Sequence, residues 1–404
     1  MTKAKSLEIS KREVFQAWKR VKANKGVGGV DKESLQGFES DLSNNLYKLW
    51  NRMSSGSYFP QAVRRVEIPK KDGSTRPLGI PTIRDRVAQE VVRAKLEKEI
   101  EPIFHEDSYG YRAAKSAIDA VKTARQRNFE FDWVLDLDIS KFFDSIDHEL
   151  LMKAVRKHAD EGWVELYVER FLKAPTQHAD GTIEENDTGT PQGGVISPLL
   201  ANLYLHYAFD VWMSRSYPQV KFERYADDAV IHCSTEQECD AIRASLAKRL
   251  AECGLQLHPQ KTQKVYCKDY MRHRSYEHVS YTFLGYTFKP RAAKNERGRF
   301  TAFSPSAGHA AQKELKRKLR KKRTFKRTQL SLAQVANEAN PMIRGWMNYF
   351  KHFRRDGVYS MVFHIEGLLI RWVQRKFRLG KRKAIQRISR LRKVEPRFFA
   401  HWAV

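Results

Sequence analysis

Phe222-Glu-Arg-Tyr-Ala-Asp-Asp-Ala-Val-Ile-His-Cys233 places two adjacent carboxylates, Asp227 and Asp228, between two short apolar segments. Residues 221–225 and 229–233 are predicted to pair as the strands of a hairpin, with the acidic pair at its turn. Two anions this close repel each other, and a hard divalent cation such as Mg2+ would relieve the repulsion. Taken alone, the stretch favours an Asp-rich turn without metal, because Asp is a common turn residue. A second acidic segment is needed to distinguish the two.

That second segment is Trp133-Val-Leu-Asp-Leu-Asp-Ile-Ser-Lys-Phe-Phe-Asp144, where a β-rich run carries several carboxylates. Strand alternation places Asp136 and Asp138 on one face. A two-metal phosphoryl-transfer site takes carboxylates from separate chain segments to hold ions about 3.5–4 Å apart. Asp138 and Asp227 are therefore the pair that we predict to bind metal.

The later carboxylates of this segment have a simpler interpretation. Asp144 or Asp147 is predicted to cap a helix that begins near His148, because Asp is a favoured N-cap residue. We therefore expect neither to be a metal ligand.

Three motifs occur in the order found in reverse transcriptases: Asp138-Ile-Ser-Lys-Phe-Phe-Asp144, Gly189-Thr-Pro-Gln-Gly-Gly-Val-Ile-Ser-Pro198 and Tyr225-Ala-Asp-Asp228. The chain most resembles the group II intron-encoded reverse transcriptase/maturase family, over nearly its whole length. Three motifs in order are far more specific than any one of them. The resemblance implies an α+β right-hand polymerase, with fingers and an antiparallel palm sheet, a helical thumb (the maturase X domain) and a short basic C-terminal tail.

The resemblance also implies a division into domains. Residues 1–60 would extend the fingers, 61–290 would form the fingers and palm, 291–370 a linker and the thumb, and 371–404 a basic nucleic-acid-binding segment. The linker is predicted over residues 290–309, which are rich in Gly, Arg, Ser and Pro. Because no His-Asn-His nuclease or zinc motif follows, the chain resembles the type that lacks an endonuclease.

Catalytic and metal-binding roles follow from the same resemblance. Catalysis is expected from Asp138, Asp227, Asp228 and Lys261, and metal binding from Asp138, Ile139, Asp227 and Asp228. The cofactor would be two Mg2+ ions, with Mn2+ as a substitute. Lys261 would protonate the leaving pyrophosphate; the alternative is an ordinary surface lysine, since a general acid must reach the leaving oxygen.

Nucleotide binding is expected from four residues. Residues 63–80 are predicted to form a hairpin, because Asp72-Gly73 between β segments is a strong turn signal, and its arms bring Lys70 and Arg76 together. By resemblance these two clamp the incoming triphosphate; charges that protect an edge strand are the alternative. Gln192 resembles the residue that touches the nascent base pair. Phe143 resembles the ring beneath the sugar that selects dNTPs, with a core ring as the alternative.

Charge is unevenly distributed along the chain. The net charge is +27, and residues 291–404 hold 30 Lys and Arg against 6 Asp and Glu. Such asymmetry indicates nucleic acid or an acidic membrane, but these segments lack the clean apolar face of a lipid-binding helix. The basic segment 313–327 offers only Leu315, Leu319 and Phe325 for burial. We therefore predict that it lies against a phosphate backbone.

Nucleic-acid contacts are expected at these residues: Lys25, Gly28, Arg112, Lys316, Lys318, Arg320, Lys321, Lys322 and Arg344. By resemblance, the loop at 24–31 covers the template. The segment after Arg112 departs from the family, since Ala113-Ala114 replaces its usual Pro-Gly turn. Trp346 and Phe350, four apart on a helix, are predicted to be core residues rather than base-stacking ones.

The implied function is an RNA-directed DNA polymerase that also binds intron RNA as a splicing maturase. Its partners would be an RNA template, intron RNA, a DNA or RNA primer and dNTPs. The alternatives are a host-adapted reverse transcriptase in DNA repair or phage defence, and an RNA-splicing chaperone with secondary polymerase activity. The four cysteines form no metal or disulfide pattern, and neither a signal peptide nor a membrane span is indicated. We expect a prokaryotic cytoplasmic, nucleoid-associated protein.

Overall fold

The computed structural model describes residues 7–69 and 75–403, which form a mixed α+β structure. The α-helices are, in chain order, α1 Lys11–Asn24, α2 Leu35–Ser40, α3 Leu42–Ser54, α4 Ile83–Ile100, α5 Ala117–Glu130, α6 His148–His158, α7 Gly162–Leu172, α8 Ser197–Leu205, α9 Val211–Ser216, α10 Glu236–Glu252, α11 His309–Lys322, α12 Leu332–Phe350, α13 Asp356–Phe377 and α14 Lys381–Val394. The strands are β1 Val63–Pro69, β2 Thr75–Ile80, β3 Trp133–Leu137, β4 Thr176–Gln177, β5 Ile183–Glu184, β6 Lys221–Tyr225, β7 Asp228–Cys233, β8 Gln263–Tyr266, β9 Tyr281–Phe283, β10 Tyr286–Asn295 and β11 Gly298–Ala307. A π-helical segment, His206–Asp210, joins α8 to α9.

The chain divides into two compact units. The first comprises Met1–Lys115, Leu137–Ala229 and Asp240–Thr262. The second comprises Ser116–Asp136, Val230–Cys239 and Gln263–Val404.

The first unit contains a sheet in the order β2-β1-β4-β5. Strands β1 and β2 are antiparallel, with Ile68 opposite Arg76 and Pro69 opposite Thr75. This confirms the hairpin predicted over residues 63–80. Its predicted turn and Lys70 lie outside the described residues.

The acidic stretch forms two strands, as predicted, although β7 begins at Asp228 rather than at residue 229. Ala226 and Asp227 are left between the strands, and Ala226 has a left-handed φ of 56°. The sheet order is β6-β7-β3-β8, and β3 pairs antiparallel with β8. Asp138 follows directly after β3, where that strand ends.

The linker predicted over residues 290–309 is wrong, because these residues form most of the β10–β11 hairpin in the second unit. Its register runs from Tyr286 opposite Ala307 to Asn295 opposite Gly298. Pro290 is compatible with this strand because β9 pairs only with residues 286–288 of β10, which leaves Pro290 at an edge. The Gly, Arg, Ser and Pro content of residues 290–309 therefore suggested a loop where the chain forms the edge of a sheet.

Helices α11–α14 supply the rest of the second unit. Leu315, Leu319 and Phe325 are buried, as predicted for this basic segment. Phe350 is buried and its ring centroid lies 4.7 Å from that of Trp346, which is half-buried. In the part of the chain that is described, no helix is both long and apolar enough to cross a bilayer.

Candidate active site

In the first unit, the pKa of one carboxyl group is raised by a carboxylate from a separate chain segment. Burial raises the pKa of Asp227, and the charge of Asp138 raises it further, whereas Arg76 and Lys261 lower it. Asp227 is placed by the left-handed turn at Ala226, and Asp138 by the end of β3. Asp227 thus lies within electrostatic range of Asp138, Arg76 and Lys261, three further residues that the sequence singled out.

Lys261 is in direct contact with Asp138. Its Nζ donates to Oδ2 of Asp138 at 3.0 Å, and its side chain is 60% exposed. The segment that carries Lys261 is fixed nearby, since the His258 amide donates to the Asp138 carbonyl at 2.7 Å. An ammonium group at this carboxylate shows that the position attracts cations.

The backbone at Ile139 leaves a carbonyl oxygen available. Ile139 forms an isolated antiparallel bridge with Leu257, flanked by one hydrogen bond to the Asp138 carbonyl and one from the Ser140 amide. Because the flanking residues make these bonds, the Ile139 carbonyl points away from Leu257. Its geometry is therefore compatible with the metal-ligand role predicted for it.

Two predicted nucleotide-binding side chains contact each other. Arg76 Nε donates to Gln192 Oε1 at 2.5 Å, and Gln192 Nε2 donates to Asp144 Oδ1 at 3.4 Å. The Gln192 backbone is also held, since its carbonyl accepts from the Gly79 amide at 2.8 Å. These contacts border a cavity of about 460 Å3 that Lys141 also lines.

Phe143 is only 9% exposed, and its ring packs edge-on against Phe142 with centroids 5.4 Å apart. Its carbonyl accepts from the Thr190 amide at 2.8 Å. Gly189 approaches the same carbonyl so closely that a Cβ would lie 2.8 Å from it, and its φ is +80°. The glycine loop and the Phe143 segment are therefore fixed against each other.

Asp147 is the N-cap of α6, which confirms one of the two predicted alternatives, Asp144 or Asp147. Its side chain accepts from the Leu150 amide at 2.8 Å. Asp144 lies in a 3₁₀ turn and contacts Gln192. These contacts are compatible with the expectation that neither Asp144 nor Asp147 binds metal, which stays a prediction.

Arg224 is a residue that the sequence analysis missed. It is 1% exposed and its five N–H groups are all engaged. Two of them form a fork with the fully buried Asp210, at 2.7 and 2.6 Å. The others reach Ser108 Oγ at 2.9 Å, and Asn202 Oδ1 and the Ala226 carbonyl at 3.1 Å each.

The Arg224 network positions the turn that carries Asp227. Its bond to the Ala226 carbonyl fixes the residue immediately before Asp227. Gly110 packs against the same turn, where a Cβ would lie 2.5 Å from the Ala226 amide. The signal was present in the sequence, since a charged residue between Phe222 and Tyr225 in an apolar strand requires a buried partner.

The predicted nucleic-acid-binding residues fall into three groups. Lys25 is exposed and, with the adjacent loop, borders a cavity of about 650 Å3. Gly28 has a structural reason for lacking a side chain, since a Cβ would lie 2.4 Å from the Glu33 carbonyl. In the second unit, Lys316 is half-buried and the other predicted contacts are exposed; these are Lys318, Arg320, Lys321, Lys322 and Arg344.

Arg112 is committed to contacts within the protein. Its Nε donates to Glu101 at 2.8 Å and its Nη1 donates to the carbonyls of His105 and Ser108, both at 2.8 Å. The guanidinium also lies 5.4 Å from the centroid of the Phe104 ring. We therefore assign Arg112 to bracing this loop and leave it outside the nucleic-acid contacts proposed below.

The donor set fits Mg2+. Among the residues that the structure describes, no group of three or more His, Cys, Asp or Glu side chains converges to hold an ion by itself. Mg2+ commonly uses one or two carboxylates and completes its shell with water and phosphate oxygens. Asp138, Asp227 and the Ile139 carbonyl carry hard oxygen atoms of the type that Mg2+ prefers.

Comparison with known proteins identifies two regions of the chain. Residues 68–288 match the family described as reverse transcriptase (RNA-dependent DNA polymerase). Residues 312–390 match the group II intron, maturase-specific domain. The chain therefore belongs to the reverse transcriptase family, in its group II intron-encoded branch.

Curated relatives agree with this placement. Protein YkfC of Escherichia coli (strain K12) is 35% identical over 256 residues, covering 54% of this chain and 66% of that protein. The group II intron-encoded protein LtrA of Lactococcus lactis subsp. cremoris is 36% identical over 195 residues, covering 48% of this chain and 32% of that protein. The matches thus span under two thirds of each relative.

Proposed function

We propose that the chain is an RNA-directed DNA polymerase that transfers nucleotides from dNTPs to a primer 3′-hydroxyl on an RNA template. The observation that carries the proposal is the convergence of Asp138 and Asp227 beside the cations Arg76 and Lys261. Phosphoryl transfer depends on positioning and on neutralising phosphate charge, and this site offers both. Membership of the reverse transcriptase family supports the same reaction.

Metal binding is assigned to Asp138, Asp227 and the Ile139 carbonyl, with Asp228 assisting. When bound, two Mg2+ ions, or Mn2+ in their place, would lower the pKa of the primer 3′-hydroxyl and stabilise charge on the transferring phosphate. The charge of Asp138 adds to the effect of burial in raising the pKa of Asp227. Bound ions would relieve this repulsion between the two carboxylates. Lys261 reaches Asp138 in the present arrangement and is proposed to turn to the leaving pyrophosphate when metal takes its place.

The incoming nucleotide is assigned to the cleft beside these carboxylates. Arg76 would bind the triphosphate, together with Lys70, which lies outside the described residues. Gln192, held by Arg76 and by its own backbone bond to Gly79, would contact the nascent base pair. Phe143 would lie beneath the sugar.

Under this proposal the elements correspond to the parts of a right-hand polymerase. Hairpin β1–β2 belongs to the fingers and the β6-β7-β3-β8 sheet to the palm. Helices α11 and α12 and the part of α13 up to residue 370 belong to the thumb. Residues 1–60 extend the fingers and 371–404 form the basic tail. The β10–β11 hairpin takes the position that the sequence assigned to a linker.

The direct test is extension of a DNA primer on an RNA template by the purified chain, with dNTPs and Mg2+. We expect extension that stops when EDTA removes the metal and resumes when Mg2+ is restored. A chain that folds and binds the primer–template without extending it would contradict the proposal.

Phe143→Val should weaken the preference for dNTPs over NTPs by about tenfold, because a smaller side chain admits a 2′-hydroxyl; a methylene-sized difference in a pocket is worth roughly 10- to 200-fold. The measurement is kcat/KM for dGTP and GTP on one template. Phe142→Val is the matched control, since its ring neighbours Phe143 and is also buried. Unchanged selectivity in Phe143→Val would show that Phe143 is a core residue and does not select the sugar.

A second function, binding of intron RNA as a splicing maturase, is supported by the match of residues 312–390 and by the charge of the C-terminal region. Helix α11 presents exposed cations while Leu315 and Leu319 face the core. A helix with exposed cations on one face and buried leucines on the other can bind a phosphate backbone through its exposed face. The RNA would be held chiefly there and by the N-terminal loop at Lys25.

Neutralising Lys318, Arg320, Lys321 and Lys322 to Gln should flatten the salt dependence of RNA binding. The slope of log affinity against log salt should fall by roughly 0.7–0.9 for each phosphate that the variant no longer neutralises. The matched control neutralises four exposed cations in the first unit, namely Lys153, Arg156, Lys157 and Lys173. An equal change of slope in both variants would contradict this placement of the RNA.

A further inference from the structure

A cavity of about 380 Å3 lies between α11, the turn that follows it, and α13 in the second unit. Its apolar surface is contributed by Leu319 and Phe325, which are buried, and by Leu368, which is half-buried. Around this surface stand five cations: Arg320, Arg323, Lys326, Arg371 and Arg375. Of the described residues that line the cavity, none is acidic.

Among the residues that the structure describes, no carboxylate neutralises the cations that line this cavity. The ion pairs of this region involve Arg317, Lys318 and Arg327 instead. Across residues 7–69 and 75–403, no carboxylate pairs with any of the five. Like charges around one cavity repel each other, and an anion at its mouth would remove that cost.

The architecture of the cavity fixes some of these cations and leaves others available. Arg375 Nη2 donates to the Phe325 carbonyl at 2.6 Å and thereby holds the turn against α13. Arg371 is exposed, and its backbone carbonyl accepts from Arg375 Nε at 3.2 Å; among the described residues, no carboxylate forms an ion pair with its guanidinium. Beside the cavity, burial lowers the pKa of His364 and the charges of Lys316, Arg371 and Arg320 lower it further. Positive potential therefore extends from α13 to α11.

We propose that this cavity binds one unpaired nucleotide of a structured RNA, with its base on the apolar surface and its flanking phosphates on the surrounding arginines. The volume lies near the lower end of the roughly 300–1,000 Å3 found for small-molecule sites, so it admits one nucleotide and no duplex. Unstacked bases in loops and bulges stack on aromatic side chains and guanidinium planes, and Phe325 and the surrounding arginines provide groups of these two kinds. The inference rests on the proposed RNA binding and adds to it a preference for one feature of the RNA.

The test uses the full chain and two RNA duplexes of equal length, one uninterrupted and one with a single unpaired 2-aminopurine. The wild-type chain should bind the bulged duplex about tenfold more tightly, since stacking of one base is worth that much or more. Binding should also change the 2-aminopurine fluorescence. Equal affinity for the two duplexes would overturn the proposal.

Two variants separate the cavity from general charge. Leu368→Trp fills the apolar surface without altering charge, and should abolish the preference while leaving affinity for the uninterrupted duplex and its salt slope unchanged. Arg371→Gln should also reduce the preference, whereas Arg390→Gln, which removes an exposed arginine of α14 outside the cavity, should weaken both duplexes equally. Far-UV circular dichroism and denaturant unfolding serve as the folding check for all three.

Other outcomes are decisive too. Retention of the preference by Leu368→Trp would overturn the proposal, as would adenosine monophosphate binding as tightly as the bulged RNA, because the occupant would then be a free nucleotide. Neither result affects primer extension. Failure of this inference is thus distinguishable from failure of the proposed polymerase activity.

Discussion

Asp138→Asn should reduce primer extension by roughly 10²- to 10³-fold, the scale observed when a preorganised charge-stabilising group is removed from an active site. The amide keeps the size of the side chain and removes one negative charge from a proposed bridging ligand. Asp227→Asn should have a comparable effect. In both variants the remaining carboxylate loses its anionic neighbour, so the electrostatic demand for a cation falls.

Asp147→Asn is the matched control for this experiment. It removes one carboxylate from the same acidic segment, and Asn serves as well as Asp at an N-cap, so α6 should keep its cap and the enzyme its rate. Single-turnover extension measured across a Mg2+ titration gives both the rate and the metal requirement. A near-wild-type rate for Asp138→Asn at low Mg2+ would remove this residue from the mechanism.

The strongest sequence predictions concerned residues whose role depends on local pattern. The β1–β2 hairpin followed from Asp72-Gly73 between two β segments, and the cap at Asp144 or Asp147 from the preference for Asp at N-caps. The pairing of Asp138 with Asp227 was also predicted, because a two-metal site requires carboxylates from different segments. The first two inferences used rules that operate within a few residues, whereas the third relied on the chemistry of a two-metal site and stays a prediction.

Composition was a weaker guide than pattern. Residues 290–309 were interpreted as a linker from their Gly, Arg, Ser and Pro content, yet they pair along β10 and β11. Arg112 was assigned to nucleic acid by resemblance to the family's motif, and its contact with RNA stays a prediction, while Glu101 and two backbone carbonyls accept from its guanidinium. A cation's role depends on partners that composition does not reveal.

Arg224 illustrates the same limit at the centre of the site. Its partners Asp210 and Ser108 are separated from it by 14 and 116 residues, so no local rule connects them. Asp210 lies in the π-helical segment after α8, an irregularity often found near functional sites. The sequence indicates that Arg224 needs a buried partner, but the identity of the partners becomes visible only when the chain is folded.

Arg224→Met should lower the free energy of unfolding by about 3–5 kcal/mol, because it leaves the fully buried Asp210 without its counter-charge. It should also reduce primer extension, since the Ala226 carbonyl loses the donor that fixes the turn before Asp227. A misplacement of about 1 Å can cost roughly 10²-fold in rate. Denaturant unfolding and single-turnover extension measure the two effects separately.

The double variant Arg224→Met/Asp210→Asn distinguishes positioning from stability. It removes both buried charges, so much of the lost stability should return, while the Ala226 carbonyl still lacks its donor. We therefore expect a folded protein with a slow rate and a raised Mg2+ requirement, because Asp227 is no longer held where it meets Asp138. A double variant that recovers both stability and rate would show that Arg224 serves folding alone, and the turn at Ala226 would then owe its geometry to Gly110, whose close approach leaves no room for a side chain.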